Sequence, residues 1–141
     1  MIVLDTTVLS ELLRASPDSS VLAWVDAQAI ETLYLTAVTV AELRFGTAMM
    51  PPGRRREIFR DRLEREVLPA FTGRVLPFDL DASRHYADFM ARARAAGKAI
   101  GMADGTIAAA AAVRGFAVAT RDTGPFEAAG VGVVNPWRAA G

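Results

Sequence analysis

The chain opens on an apolar run, Met1-Ile2-Val3-Leu4, that stops on Asp5 and passes into the hydroxyls of Thr6 and Thr7. A short apolar run with polar flanks predicts a strand buried on both faces, with Asp5 at its carboxyl end. Val8 to Arg14 then predicts a short helix broken at Ser16-Pro17. Pro17 suits the first turn of a second helix, whose inner stripe is Val21, Leu22, Trp24, Val25 and Ala29. Leu33 to Val38 reads as the second strand, closed by Thr39, and Val40, Leu43, Arg44, Thr47 and Ala48 carry a helix to the break at Pro51-Pro52-Gly53. A long charged helix follows from Arg54 to about Leu68, with Ile58, Phe59, Leu63 and Val67 facing inward. Arg74 to Phe78 predicts a short strand that Pro77 places at a sheet end or edge. Asp81 is the expected cap of a helix holding Tyr86, Phe89 and Met90, which stops near Ala96-Gly97. Gly97 to Gly101 connects to an alanine-rich helix from Met102 to Arg114, and Phe116–Thr120 and Val131–Val134 supply the last strands. Strands separated by helices in this order predict an α/β fold in three layers, a mainly parallel sheet with helices on both faces.

Composition narrows what such a fold can do. At 141 residues, 52% of them apolar, the chain is expected to form a single domain over 1–141 with a real core. Its formal net charge is zero, so any nucleic-acid or membrane partner must be met by a local patch. Fifteen of the 16 basic residues are arginine, which fits either phosphate and carboxylate recognition or genomic base composition. From Arg44 to Glu66 seven arginines face four acids, an interleaving usual for a solvated helix surface. Cysteine is absent, which excludes disulfides, thiolate metal sites and a cysteine nucleophile. His85 is the only histidine and carries no assigned role. Neither a signal-peptide pattern nor an apolar run of membrane-spanning length occurs, so a soluble, cytoplasmic protein is expected.

Four carboxylates stand out, each with an ordinary alternative. Asp5 ends the first strand and Asp122 follows the Phe116–Thr120 strand, and acids at the carboxyl ends of neighbouring parallel strands can converge. Asp5 or Thr6 could instead cap the next helix, and Asp122 before Thr123-Gly124 could be turn chemistry. Asp104 lies in a helix first turn, where the macrodipole welcomes a carboxylate. Thr39-Val40-Ala41-Glu42 matches a capping box, so Glu42 could simply return a hydrogen bond to the Thr39 amide. If all four meet, they cannot all stay ionised without a compensating cation. Oxygen ligands without histidine or cysteine point to Mg²⁺ or Mn²⁺, which can activate water and neutralise charge on a phosphoryl group.

These residues resemble the PIN-domain family of VapC-type toxins in bacterial toxin–antitoxin pairs. The family's hydrophobic-Asp-Thr-Asn-hydrophobic-Ser opening is matched by Ile2 to Ser10, with Thr7 in place of Asn. Its Thr-x-x-Glu helix start corresponds to Thr39–Glu42, its Asp before small residues to Asp104, and its Thr-x-Asp to Thr120-Arg121-Asp122. The resemblance runs from Met1 to Trp137 and is nearest the FitB-like branch, on Ala119 to Gly124 and Asn135-Pro136-Trp137. It implies a PIN-like fold and a Mg²⁺-dependent ribonuclease, with Mn²⁺ a possible substitute. The implied partners are RNA, a cognate antitoxin and a second copy of the chain, without a membrane. Asp5 and Asp104 would be the main metal ligands, Glu42 and Asp122 would complete an acidic catalytic pocket, and Thr6 and Thr120 would support it. Thr7 can still make the hydrogen bond expected of Asn.

Other acid-bearing folds fit less well. A receiver domain needs a lysine after a late strand, whereas the one lysine, Lys98, precedes a helix; a dehalogenase-type phosphatase needs Asp where Thr7 stands. A P-loop is absent. The remaining alternative is a PIN-fold binding subunit acting with its antitoxin on operator DNA and turning over little RNA. With no basic recognition helix or Cys/His finger in the sequence, DNA contact would fall to the antitoxin.

Overall fold

The computed structural model describes residues 1–138, so 139–141 of the expected domain lie outside the described residues. In chain order the elements are β1 (Ile2–Leu4), α1 (Thr6–Leu12), α2 (Ser19–Asp26), β2 (Leu33–Thr36), α3 (Ala37–Met49), α4 (Arg54–Asp61), α5 (Leu68–Ala70) and β3 (Val75–Leu76). They continue with α6 (Leu80–Ala95), α7 (Met102–Val113), β4 (Ala117–Ala119), α8 (Thr123–Ala129) and β5 (Val133–Val134). The strands form one parallel sheet in the order β3-β2-β1-β4-β5.

β1 is central because its side chains can be buried on either face. Val3 and Leu4 are both fully buried, Val3 beneath α6, α7 and α8, and Leu4 among Val8, Leu9 and Val21 of α1 and α2. On the first face Ala108 to Ala111 are buried and keep α7 close to the sheet. Gly105 tightens the α6–α7 contact further, since a methyl group there would stand 3.0 Å from the Tyr86 ring and 3.1 Å from Met90 Sδ. The result is the expected three-layer arrangement.

Chain order reverses across β1: β2 and β3 lie to one side, β4 and β5 to the other. Such a switch point leaves a crevice at the carboxyl edge of the sheet, between the loops after β1 and β4. The Asp5 amide donates to the Ala119 carbonyl at 2.9 Å, which holds the two loops together there.

Several expectations need correction. α6 is capped by Asp79, whose side chain accepts from the Ala82 amide at 2.9 Å, while the expected cap Asp81 sits inside the first turn. α3 begins at Ala37, not near Val40, because Thr36 is its cap and accepts from the Thr39 amide at 3.1 Å. The long charged helix is interrupted by a π-helical stretch, Arg62–Val67, where Arg62 reaches back to the carbonyls of Leu12, Leu13 and Arg14 at the end of α1. Guanidinium donors there satisfy acceptors that α1 leaves open. α8 was not expected: Asp122 before Thr123-Gly124 reads as turn chemistry, yet Pro125 is tolerated in a first turn, and buried Phe126 and Ala129 anchor the helix.

Candidate active site

Asp5 follows β1 at the N-cap position of α1, yet its side chain makes no capping hydrogen bond. One oxygen, Oδ2, accepts instead from Thr120 Oγ1 at 2.8 Å and Thr7 Oγ1 at 3.1 Å. The same hydroxyls accept from the loop after β4: Thr120 Oγ1 from the Asp122 amide at 3.0 Å, and Thr7 Oγ1 from the Arg121 amide at 3.2 Å. Asp5 is thus fixed by two threonines that also bind the neighbouring loop. Its Oδ1 has no protein hydrogen bond among the described residues. Thr7 makes the polar contact to Asp5 expected of Asn at this position.

Glu42 does not close a capping box. The Thr39 amide is already taken by Thr36, and Glu42 Oε1 accepts from Thr6 Oγ1 at 2.6 Å. Behind Thr6 stands a short hydroxyl chain, with Thr39 Oγ1 3.1 Å away and Thr36 Oγ1 a further 3.2 Å on. Thr36 and Thr39 are buried, so the chain ties an exposed carboxylate to the end of β2 and the start of α3. Thr36 and Thr39 had not been assigned this part; the Thr-x-x-Thr-x-x-Glu spacing was the signal for it.

Asp122 occupies the N-cap position of α8 and, like Asp5, makes no capping hydrogen bond. Asp104 lies half-buried in the first turn of α7. A helix N-terminus alone would favour its ionised form. Its pKa is instead raised from 3.8 to about 6, first by burial and then by the charges of Asp5, Asp122 and Glu42. The charges of Asp5, after β1, Asp122, after β4, and Glu42, in the second turn of α3, thus reach Asp104 in the first turn of α7.

None of the four takes part in a salt bridge among the described residues. As the side chains stand, no three acids or histidines among the described residues are close enough to share an ion. The donor set nevertheless fits a hard divalent cation: four carboxylates, no nitrogen or sulfur, and one unused oxygen on the buried Asp5.

The PIN domain family model matches residues 2–131. This chain belongs to the PIN domain family. A VapC ribonuclease of Sinorhizobium fredii, Y4jK, is 70% identical over 140 residues, covering 99% of this chain and all of that one. Toxin FitB of Neisseria gonorrhoeae is 50% identical over 137 residues, covering 97% of this chain and 99% of that one. A solved structure of FitAB bound to a DNA fragment superimposes with a TM-score of 0.94 at 48% identity, covering 98% of this PIN domain and 96% of that chain. Among the described residues, no helix is long and apolar enough to cross a membrane.

Proposed function

We propose that this PIN domain is the toxin of a toxin–antitoxin pair, an endoribonuclease that hydrolyses RNA phosphodiester bonds at the carboxylate crevice with Mg²⁺, or Mn²⁺ in its place. The observation that carries the reading is the threonine network that fixes Asp5, Glu42 and the Asp122 loop without any ion pair among the described residues, with the charges of all three acids felt at Asp104. The similarity to VapC ribonuclease Y4jK and Toxin FitB supports RNA as substrate and the toxin role. Asp5 and Asp104 would hold the ion, with Glu42 and Asp122 completing the set. Held there, a divalent ion would supply an activated water and offset charge developing on the phosphoryl group. Thr7 and Thr120 occupy Oδ2 of Asp5 and leave Oδ1 for the ion, and Thr6 holds Glu42 in place.

Two surfaces suit the protein partners of such a toxin. A groove of about 740 Å³, lined by Leu13, Ile58 and Phe59 with Arg14, Arg54 and Arg55, has the apolar floor and basic rim that an amphipathic antitoxin segment would need. Exposed Phe45 and Met49, four residues apart on α3, suit a second copy of the chain.

Cleavage of single-stranded RNA in Mg²⁺, in Mn²⁺ and in EDTA tests the proposal. Wild type should cut with either ion and lose activity in EDTA, and Asp5→Asn should cut at least about a hundredfold more slowly with its fold intact. Undiminished cleavage in EDTA would sink the metal mechanism. A second reading, a subunit working chiefly in an antitoxin complex on operator DNA, is favoured by the DNA-bound FitAB relative. It predicts no metal-dependent cleavage and tight operator binding only with the antitoxin present.

A further inference from the structure

Arg121 lies between Thr120 and Asp122, two residues of the crevice, and its amide is bound to Thr7, which also holds Asp5. Its guanidinium sits over the ring of Trp137, 5.1 Å from the ring centre. Trp137 comes from the last described turn, where Asn135 accepts from its amide at 3.0 Å, and it packs against the α1–α2 side of the core. The chain thus returns from β5 to place an aromatic face under the guanidinium that follows β4.

The cation is unspent. Arg14 and Arg44 are paired with Glu11 and Glu64, and Arg62 is committed to the carbonyls ending α1. The Arg121 side chain makes no hydrogen bond or salt bridge among the described residues. Stacking uses the face of a guanidinium and leaves its N–H groups free in the plane, where their fork matches two phosphate oxygens. The ring also restricts the side chain before any ligand arrives, which lowers the ordering cost of binding. An RNA strand approaching four carboxylates is repelled, and a restrained cation on the residue between Thr120 and Asp122 offsets that repulsion for a backbone passing it.

We propose that Arg121 binds an RNA phosphate next to the scissile one, with Trp137 as the positioning residue that holds its guanidinium ready. This rests on the ribonuclease reading above. The test measures steady-state cleavage in Mg²⁺, binding of a short fluorescein-labelled single-stranded RNA in EDTA across a KCl series, and Mg²⁺ binding by calorimetry. Arg121→Ala should raise KM about tenfold with kcat within about threefold of wild type, the mark of lost substrate binding. The slope of log affinity against log salt should flatten by about 0.7, the share of one phosphate contact on a single strand. Mg²⁺ affinity should stay within about twofold of wild type. Arg121→Lys should recover the salt slope but only part of KM, and Trp137→Leu should fall between Lys and Ala.

A wild type that neither cuts nor binds RNA overturns the ribonuclease reading and this inference together. A wild type that does both, with Arg121→Ala unchanged in KM and salt slope, overturns this inference alone. So does an Arg121→Ala variant whose RNA kinetics are intact while its complex with the antitoxin is weakened, which would assign the cation to the protein partner.

Discussion

Two regions of this PIN domain are crowded with carboxylates, and they treat them oppositely. On the surface shared by α3, α4 and the π-helical stretch, the acids face arginines: Glu64 accepts a fork from Arg44 at 2.8 and 3.0 Å, Asp61 lies 3.8 Å from Arg65, and Glu66 lies 3.9 Å from Arg62. The hydrogen bonds from Arg44 hold Glu64 below the usual carboxylate range. In the crevice, hydroxyls take the place of cations and Asp104 is pushed up to about 6. Hydroxyls fix the direction of a carboxylate without cancelling its charge. The surface pairs its acids within the chain, whereas the crevice leaves its acids unpaired among the described residues, as the proposed cation site requires.

The largest effect that would break this contrast is the response to metal. At free Mg²⁺ about 100 times its dissociation constant, linkage stabilises the wild type by about 2.7 kcal/mol, roughly 10 °C in Tm for a domain of this size. Asp104→Asn should lose most of that gain, while in EDTA it should melt slightly above wild type, since the buried and repelled charge is gone. Melts of both proteins across a Mg²⁺ titration check the pair of shifts. A flat wild-type titration with a destabilised Asp104→Asn apo protein would mean that the acids are structural.

Much of this contrast was legible along the chain. An apolar run ending in Asp5, and another ending in Thr120-Arg121-Asp122, place both acids at strand ends because burial on two faces leaves no other place for the carboxylate. Which strands neighbour each other was not local information; it follows from the chain reversal across β1. Glu42 was ambiguous because a capping box and a crevice acid use the same spacing, and the choice turned on which threonine caps α3. Thr36 does so, one turn earlier than the pattern suggested, which frees Glu42 for Thr6. α8 was hidden by Asp122-Thr123-Gly124, whose turn preference is overridden by the burial of Phe126. The meeting of Arg121 with Trp137 has no sequence period at all, since it joins the end of β4 to the turn after β5.

A smaller effect sharpens the electrostatic side. Asp104 has a folded-state pKa raised from 3.8 to about 6, so between those values the folded chain holds more protons than the unfolded one and its stability falls as pH rises. Because Asp104 is only half-buried, solvent screening reduces the effect to on the order of 1 kcal/mol. In EDTA, the stability difference between wild type and Asp104→Asn should therefore shift against the wild type from about pH 4 to pH 7 and be flat above. Urea unfolding of the two proteins at matched pH values measures it. A difference that moved in favour of the wild type over that window would show Asp104 to be stabilised by its helix terminus and not repelled by its neighbours.

The smallest expected effect belongs to the paired surface. Arg44 and Glu64 form a well-aligned fork, but both are substantially exposed, so the pair contributes less than about 1 kcal/mol and less again in high salt. A double-mutant cycle with Arg44→Gln and Glu64→Gln, read by urea unfolding in low and high KCl, isolates that coupling from the individual costs of the substitutions. RNA cleavage by Glu64→Gln should stay within about twofold of wild type, because the Arg44 guanidinium that remains is free to take up water and does not face the crevice acids. If removing Glu64 instead lowered cleavage as strongly as Asp5→Asn, the two regions would be one electrostatic unit. The distinction between paired carboxylates that support the fold and unpaired ones reserved for a ligand would then be lost.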